Sequence, residues 1–437
     1  MNTQTILQRL CPELSNEEIT KIAVETGFSK RAEKKIKSED FLSFFCQESI
    51  KGTVSYNDLA AKISCEKDCS ASRQAYFYRI KEETVEFLKQ ILGVVMKHRT
   101  KLSQIDEIIV QNKFKRILIQ DSTIIRLPQK LYDIYSGVKN AQSTLCNARI
   151  QGIYDLIAGE FISFSIDPYS CNDLKVAHDI NVKPGDLILR DRGYFVISAI
   201  EKMKDNGADS IMRYKHKTTF YDPISKNEID LLKRLKQCGS LDITVVAGNE
   251  KDTKLRIIAT PVPEEVVNIR RMKAKKEAKK RTCSYELLQL FQWNIFITTI
   301  EDDCFSAEQA YLLYSLRWRI ESIFKTWKSN FNFNKIHNVS ELQLRVLLNA
   351  RFIMITLLYQ RLYTPIEKNI IRKTNKHLSL MKFMRFISGN LEQFTKIFFS
   401  KDRSEDAFEI ILRYCTFDKR KRNCFNQVVM DIVKELT

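Results

Sequence analysis

Two short apolar runs, each followed at once by a single aspartate, constrain the fold of this chain more than any other feature. The run "RILIQ" precedes Asp121, and the run "LILR" precedes Asp191. Short apolar runs of this kind are typical of buried strands. The segment "ARIQGIYDLIAGEFISFSID" predicts a hairpin, and a strand–helix–strand alternation continues around Asp191. The sequence therefore predicts a mixed α/β sheet with an aspartate at the end of each of two strands.

The segments on both sides of this predicted sheet have helical periodicity. Residues 1–105 show no strong strand pattern, and the chain is helical again from about residue 340 to its end. Within the N-terminal part, one helix is predicted to start at Ser70 and to end near Gly93. This helix carries Arg73 and Arg79. Together with the helix before it, it is either a helix-turn-helix that reads DNA or part of a bundle with a solvated basic face.

A segment of different character, residues 216–292, interrupts the alternation of strands and helices. Within it, "LDITVVAGN" and "KLRIIATPV" predict two paired strands. The residues from Pro263 to Gln292 predict one long helix with a densely basic middle. We interpret the whole segment as an insertion, after which "WNIFITTI" resumes the buried strands.

The charge of the chain indicates what it binds. The formal net charge is +18 at pH 7, which favours a polyanionic partner, above all nucleic acid. A generic basic protein and a membrane-surface binder are the alternatives. The most apolar run, Val346–Tyr363, is interrupted by Arg351 and Arg361 and therefore predicts a buried core helix rather than a membrane span. The N-terminal residues lack the apolar core of a signal peptide, and the cysteines are scattered, so we expect a cytoplasmic protein.

The segment "YLLYSLRWRIESIFKTWKSNF" isolates one carboxylate among cations and aromatic rings. It belongs to a helix that is predicted to run from Ser306 to about Asn330. On one continuous helix, four of its side chains share an arc of about 60°, namely Tyr314, Arg317, Glu321 and Lys328. A neighbouring apolar stripe can pack on a sheet. Taken alone, the pattern also fits an ordinary amphipathic helix with a solvated edge of ion pairs.

Three carboxylates can be combined into one site. Asp121 and Asp191 follow predicted strands, and Glu321 lies on the predicted helix. Oxygen ligands of this kind suit Mg²⁺ or Mn²⁺. Two such ions about 4 Å apart can activate a water or a 3′-hydroxyl and stabilise the leaving oxygen of a phosphodiester. An isolated aspartate after a strand is otherwise usually a cap or a turn residue.

The motifs resemble those of a known family. The segment "YSLRWRIESIFKTWK" matches Y-x2-R-x3-E-x6-K, the signature of DDE transposases of the insertion-sequence IS-four family. The segment "QDST" around Asp121 resembles the first-aspartate segment of that family, and "LILRDRGYF" around Asp191 resembles the second. Order, spacing and the insertion before Glu321 agree as well, and the resemblance covers about residues 40–360.

The resemblance implies roles for particular residues. It implies that Asp121, Asp191 and Glu321 are the catalytic triad and the ligands of two Mg²⁺ or Mn²⁺ ions on an RNase H-like core. It implies DNA contacts at Tyr314, Arg317, Lys328, Arg192 and Tyr194, and on the basic helix at Lys275, Lys276, Lys279 and Lys280. For the basic helix, a solvated charged face is the alternative. Trp293 matches a tryptophan that stacks on a flipped base, with a core tryptophan as the alternative.

The resemblance also gives the domain organisation. The RNase H-like core is expected in two parts, with a β-rich, basic-helix insertion between them and a helical region at each end. The boundaries are 1–105 for the N-terminal DNA-binding region, 106–215 and 293–345 for the core, 216–292 for the insertion and 346–437 for the helical C-terminal region.

The function implied is that of a cut-and-paste transposase. Such an enzyme binds the terminal inverted repeats of its element, cleaves DNA through a hairpin intermediate and joins the ends to target DNA. A homodimer in the synaptic complex, a location at the bacterial nucleoid and no membrane partner are expected with it. The alternatives are an RNase H-like nuclease without strand transfer and a non-catalytic DNA-binding regulator.

Overall fold

The computed structural model describes most of the chain as two compact units. The described residues are 5–30, 36–67, 70–97, 114–140, 143–248, 250, 252–278, 283–301, 306–374, 376–400 and 402–417. The first unit comprises Met1–Asp106, Ser122–Ser170 and Arg319–Val428. The second unit comprises Glu107–Asp121, Cys171–Trp318 and Val429–Thr437.

Within the described residues the helices are α1 (Ile6–Leu10), α2 (Asn16–Glu25), α3 (Ser38–Ser49), α4 (Tyr56–Lys67), α5 (Arg73–Phe77), α6 (Glu82–Lys97), α7 (Ile197–Asp205), α8 (Leu231–Cys238), α9 (Glu264–Ala278), α10 (Tyr285–Leu290), α11 (Ala307–Ser315), α12 (Trp318–Asn330), α13 (Glu341–Leu357), α14 (Thr364–Thr374), α15 (Leu380–Phe398) and α16 (Ser404–Tyr414). The strands are β1 (Arg116–Arg126), β2 (Ser136–Asn140), β3 (Ser143–Asp155), β4 (Glu160–Pro168), β5 (Asp186–Arg190), β6 (Asp209–Arg213), β7 (Leu241–Ala247), β8 (Thr253–Pro261) and β9 (Trp293–Thr298).

The strands of the second unit follow the order β1-β5-β6-β9-β8-β7. β5 pairs in parallel with β1 and with β6. β9, β8 and β7 continue the sheet with antiparallel pairs. Every residue of β5 is buried, as expected for a central parallel strand that is covered on both faces. The α7 helix connects β5 to β6, since parallel neighbours need a crossover connection. The predicted α/β class with a mixed sheet is therefore confirmed.

The first unit contains the predicted hairpin. β3 and β4 pair antiparallel, from Asp155 opposite Glu160 to Ala148 opposite Pro168. A carboxylate oxygen of Asp155 accepts hydrogen bonds from the backbone N–H groups of Ile157 and Ala158, in the turn between the two strands. Gly159 ends this turn with a φ of 71°, a backbone conformation that favours glycine.

The N-terminal region differs from the prediction in one place. The single helix expected from Ser70 to near Gly93 is two helices, α5 and α6. They separate because the hydroxyl of Thr84 bonds to the carbonyl of Arg79 and accepts from the backbone N–H of Lys81, which starts a new helix. α6 then continues past Gly93 to Lys97, because Val95 is fully buried on its apolar face.

The C-terminal helices form much of the core of the first unit. A π-helical turn, Leu358–Tyr363, joins α13 to α14. The combined helix Glu341–Thr374 is long and apolar enough to cross a membrane by length and composition, yet 83% of its most apolar window is buried inside the protein. Arg351, the charge that interrupts it, is fully buried and donates to the carbonyls of Ser49, Gly52, Phe333 and Lys335. Its hydrogen bonds explain how the core accommodates this cation.

The insertion also differs from its prediction in one element. β7 and β8 pair as expected. The long helix predicted from Pro263 to Gln292 is instead two helices, α9 and α10, because Ser284 is extended and its hydroxyl caps α10 at the N–H of Leu287.

Candidate active site

The two aspartates of the predicted site lie side by side in the second unit. The parallel register of β1 and β5 pairs Gln120 with Arg190. Asp121 and Asp191 directly follow the two residues of this last pair. The sequence predicted that this strand ends at Asp121, whereas β1 continues to Arg126. What ends there is its pairing with β5, because β5 stops at Arg190 and the chain turns away.

The turn after β5 holds Asp191 at this edge. Asp191 has extended backbone angles, and its carbonyl accepts the N–H of Tyr194 over 3.0 Å. At Gly193, a Cβ atom would lie 3.0 Å from a carboxylate oxygen of Asp173. A larger residue in the segment "DRGYF" would require the Asp173 carboxylate to shift by a few tenths of an ångström.

Arg317 binds the first aspartate. Its Nη1 lies 3.1 Å from Oδ2 of Asp121. The helix predicted to run from Ser306 to Asn330 is broken here into α11 and α12. The backbone N–H groups of Leu316 and Arg317 bond to carbonyls three residues back, rather than four. The prediction of one continuous helix is therefore wrong, and the shared arc of four side chains stays a prediction. The break allows Arg317, which lies between the helices, to reach Asp121.

Tyr314 lies in the same part of the second unit. It is buried on α11, and its ring packs 4.7 Å from the ring of Phe296 on β9. Burial raises the pKa of Tyr314, the charge of Asp191 raises it further, and the charges of Arg317 and Arg213 oppose this shift. The hydroxyl therefore stays protonated near neutral pH and can donate a hydrogen bond.

Glu321 and Lys328 belong to the first unit. They lie seven residues apart on α12, which places them about 20° apart around the helix. The predicted apolar stripe of this helix packs on β4, where Trp327 lies 4.9 Å from Phe161. Burial lowers the pKa of Lys328. The prediction that these two side chains share one face with each other holds on α12.

Four other predicted DNA contacts differ in their exposure. Arg192 is exposed, whereas Tyr194 is buried. The guanidinium carbon of Arg190 lies 5.6 Å from the centroid of the Tyr194 ring. In the N-terminal region Arg73 is exposed on the short helix α5. Arg79 instead donates to the carbonyl of Ile36 over 2.5 Å and lies over the ring of Phe28. Their roles in DNA binding stay predictions.

The basic helix presents part of its charge to solvent. Lys275 and Lys276 are exposed on α9, and Lys279 and Lys280 lie outside the described residues. Two arginines of α9 form hydrogen bonds with backbone carbonyls of the protein instead. Arg270 donates to the carbonyl of Trp293, and Arg271 donates to the carbonyl of Leu288.

Trp293 begins β9, as predicted, and is a core residue in this structure. It is 8% exposed, and its indole N–H donates to the carbonyl of Gly239 over 2.5 Å. Stacking on a base requires this ring to leave its place, and that role stays a prediction. Sequence reasoning missed Trp318, which is 59% exposed and lies 5.5 Å from the guanidinium of Arg317. The signal was its place inside the signature segment, directly after Arg317.

The donor chemistry of the aspartate pair suits a divalent cation. Asp121 on β1 and Asp191, which directly follows β5, offer carboxylate oxygens, which Mg²⁺ and Mn²⁺ prefer as ligands. Among the residues that the structure describes, no three Asp, Glu, His or Cys side chains come together as a metal-binding group. The three-carboxylate site therefore stays a prediction.

Comparison with known proteins identifies the family. The model of the "Transposase DDE domain" family matches residues 112–357. The chain is 28% identical to the transposase of insertion sequence element IS231B of Bacillus thuringiensis subsp. berliner, over 96% of this chain and 91% of the relative. It is 27% identical to the transposase of IS1151 of Clostridium perfringens, over 95% of this chain and 93% of the relative.

This chain belongs to the DDE transposase family, in its IS-four-like group from insertion sequences. Members of this family are enzymes that act on DNA and generally use divalent metal ions. The recognition from the sequence motifs is confirmed.

Proposed function

We propose that this protein is the cut-and-paste transposase of an insertion sequence, which binds the terminal inverted repeats of its element, cleaves there and joins the ends to target DNA. The observation that supports this most is that Asp121 and Asp191 directly follow the last paired residues of two adjacent parallel strands, with Arg317 bound to Asp121. Two carboxylates near a guanidinium form a group that suits a metal-dependent reaction at a phosphodiester.

Asp121, Asp191 and Glu321 are the residues that would hold two Mg²⁺ or Mn²⁺ ions on an RNase H-like core. When bound, such ions supply charge stabilisation for the attacking and leaving oxygens of a phosphodiester. Arg317 contributes a planar guanidinium that suits bidentate contact with a phosphate. Its bond to Asp121 keeps it oriented toward the reacting strand.

Tyr314 acts as a hydrogen-bond donor to the DNA backbone and not as a nucleophile. Its raised pKa keeps the phenol protonated. The nucleophiles are water and the DNA itself. Hydrolysis of one strand leaves a 3′-hydroxyl, which attacks the opposite strand and forms a hairpin. A second hydrolysis opens the hairpin, and the same 3′-hydroxyl joins to target DNA. No protein–DNA covalent bond is needed.

The remaining contacts are electrostatic. Lys328, Arg192 and the exposed lysines of α9 bind phosphates of the terminal repeat, and the net charge of +18 supports association with DNA at the nucleoid. We propose a homodimer for the complex that pairs the two ends.

The test is a set of amide substitutions. Asp121→Asn, Asp191→Asn and Glu321→Gln should each abolish cleavage of a duplex that carries the terminal repeat. Binding of this duplex should persist, because affinity for DNA comes mainly from the cations. Asp133→Asn is the matched control, since Asp133 is an exposed aspartate outside the site. Near-normal cleavage by Glu321→Gln would remove Glu321 from the site. Cleavage by the wild type without joining of cut ends to a plasmid would identify a nuclease instead.

A further inference from the structure

The first unit contains a cavity that none of the roles above uses. Its volume is about 540 Å³, within the range of binding pockets for small groups. The walls come from the end of β1 and the turn after it, from residues 145–146 of β3, and from residues 334–338, the segment that follows α12.

The charge of this cavity is one-sided. Arg126 and Lys335 line it, are both exposed, and form no ion pair with any described residue. None of the residues that line it is an aspartate or a glutamate. The side chains of Asn334 and Asn338 add hydrogen-bonding amides. Two cations around a concave surface without a carboxylate favour an anionic ligand.

A histidine, His337, also lines the cavity. Nδ1 of His337 is buried and has no hydrogen-bond partner among the described residues. Burial lowers the pKa of His337, and the charge of Arg351 lowers it further. The ring is therefore neutral near pH 7 and can offer one donor and one acceptor.

The position of the cavity relates it to the proposed active site. α12 carries Glu321 in its first turn and Lys328 in its last, and the segment after it lines the cavity. From Glu321 to the end of α12 is about 14 Å at 1.5 Å per residue. Measured along the axis of duplex DNA, where one strand carries a phosphate for every 3.4 Å, that distance corresponds to about four nucleotides.

We infer that this cavity, with Arg126, Lys335 and His337, binds the sugar–phosphate backbone of DNA about four to five nucleotides from the cleaved phosphodiester. The inference rests on the proposed function, which supplies the DNA. Arg126 and Lys335 are exposed at the cavity, where a continuous backbone can pass. Lys328 lies on the way from Glu321, so successive phosphates would meet Lys328 first and the cavity next.

The experiment combines a protein substitution with a DNA substitution. Wild type and the double variant Arg126→Gln/Lys335→Gln are titrated with a duplex that contains the terminal repeat and its flank, at several salt concentrations. The duplex is also prepared with single uncharged methylphosphonates at each position near the cut. The control is Arg385→Gln/Lys376→Gln, which removes one exposed arginine and one exposed lysine outside the cavity.

We expect the double variant to flatten the salt dependence of binding by about 1.8 units of slope, which corresponds to two phosphates that the protein no longer neutralises. A methylphosphonate about four to five nucleotides from the cut should weaken binding by the wild type and have no further effect on the double variant. Lys335→Arg should retain binding. Melting temperatures equal to that of the wild type would show that both double variants fold.

Two results would overturn the inference in distinguishable ways. If the wild type cuts the duplex and the two double variants show the same decrease in slope, the cavity is not a backbone site and the proposed function stands. If the wild type neither binds nor cuts the duplex, the proposed function fails, and the inference fails with it.

Discussion

Nη1 of Arg317 donates to Oδ2 of Asp121 over 3.1 Å, and both side chains are largely buried, with 6% and 17% of their surfaces exposed. The first aspartate of the proposed triad thus already neutralises a cation in the protein alone. A substitution at Asp121 therefore changes stability as well as chemistry, and the two effects have to be measured separately.

Asp121→Asn should lower the free energy of unfolding by about 1–3 kcal/mol, because a largely buried guanidinium loses a charged acceptor. Asp191→Asn should change it by less than about 0.5 kcal/mol, because Asp191 is half-exposed and no hydrogen bond to its side chain is described. Urea denaturation of both variants measures the difference. Equal decreases would mean that the bond to Arg317 does not stabilise the fold.

A buried cluster of the first unit gives a second stability prediction. Arg319 donates to the hydroxyl of Tyr359 over 2.8 Å, and that hydroxyl lies 2.9 Å from the hydroxyl of Tyr154. Tyr359→Phe should therefore cost about 1.5–3 kcal/mol, because the bond that it removes involves a charged donor. Tyr154→Phe removes the bond between the two hydroxyls and an interaction of the Tyr154 hydroxyl with Arg319, and should cost about 0.5–1.5 kcal/mol.

Arg319 lies two residues before Glu321 on α12, so Tyr359→Phe should also slow cleavage while leaving DNA binding intact. Cleavage rates of the two tyrosine variants, measured at a temperature where both are folded, check this. Slower cleavage by Tyr154→Phe than by Tyr359→Phe would contradict this prediction.

The basic helix can be tested by salt dependence. Replacing Lys275, Lys276, Lys279 and Lys280 together with glutamine should weaken DNA binding. It should also flatten the salt dependence by up to about 0.9 units of slope for each phosphate that these lysines neutralise in the wild type. Fluorescence anisotropy across a range of salt concentrations measures both. A slope like that of the wild type would identify α9 as a solvated face.

The two tryptophans Trp293 and Trp318 form a natural pair for comparison. Trp293→Ala should lower stability by about 3–5 kcal/mol, since the ring is buried and its N–H is bonded. Trp318→Ala should leave the melting temperature nearly unchanged, because that ring is mostly exposed.

Nicking and hairpin formation should be measured on the same preparations. If Trp293 stacks on a flipped base, its variant slows hairpin formation by about tenfold to a hundredfold while nicking persists, the rate equivalent of about 1–3 kcal/mol of stacking. If the rates of nicking and of hairpin formation fall together, and the melting temperature falls with them, Trp293 is a core residue only.

The sequence by itself determined the strands and the pattern of the candidate site. The runs before Asp121 and Asp191 are buried strands because their residues favour extended, apolar surroundings. The hairpin around Gly159 follows equally from local turn chemistry. The signature spacing around Glu321 led to the family that the comparisons then showed.

Only the tertiary structure decided which side chains are engaged by distant partners. The helix breaks before α12 where Arg317 binds a carboxylate 196 positions away in the chain. Arg79 is held by the carbonyl of Ile36, and Trp293 by that of Gly239. Periodicity reports the preference of the local backbone, whereas these bonds depend on groups that the fold brings together from far along the chain. For that reason the sequence located the charged residues, and the fold determined which of them are bonded to other parts of the protein.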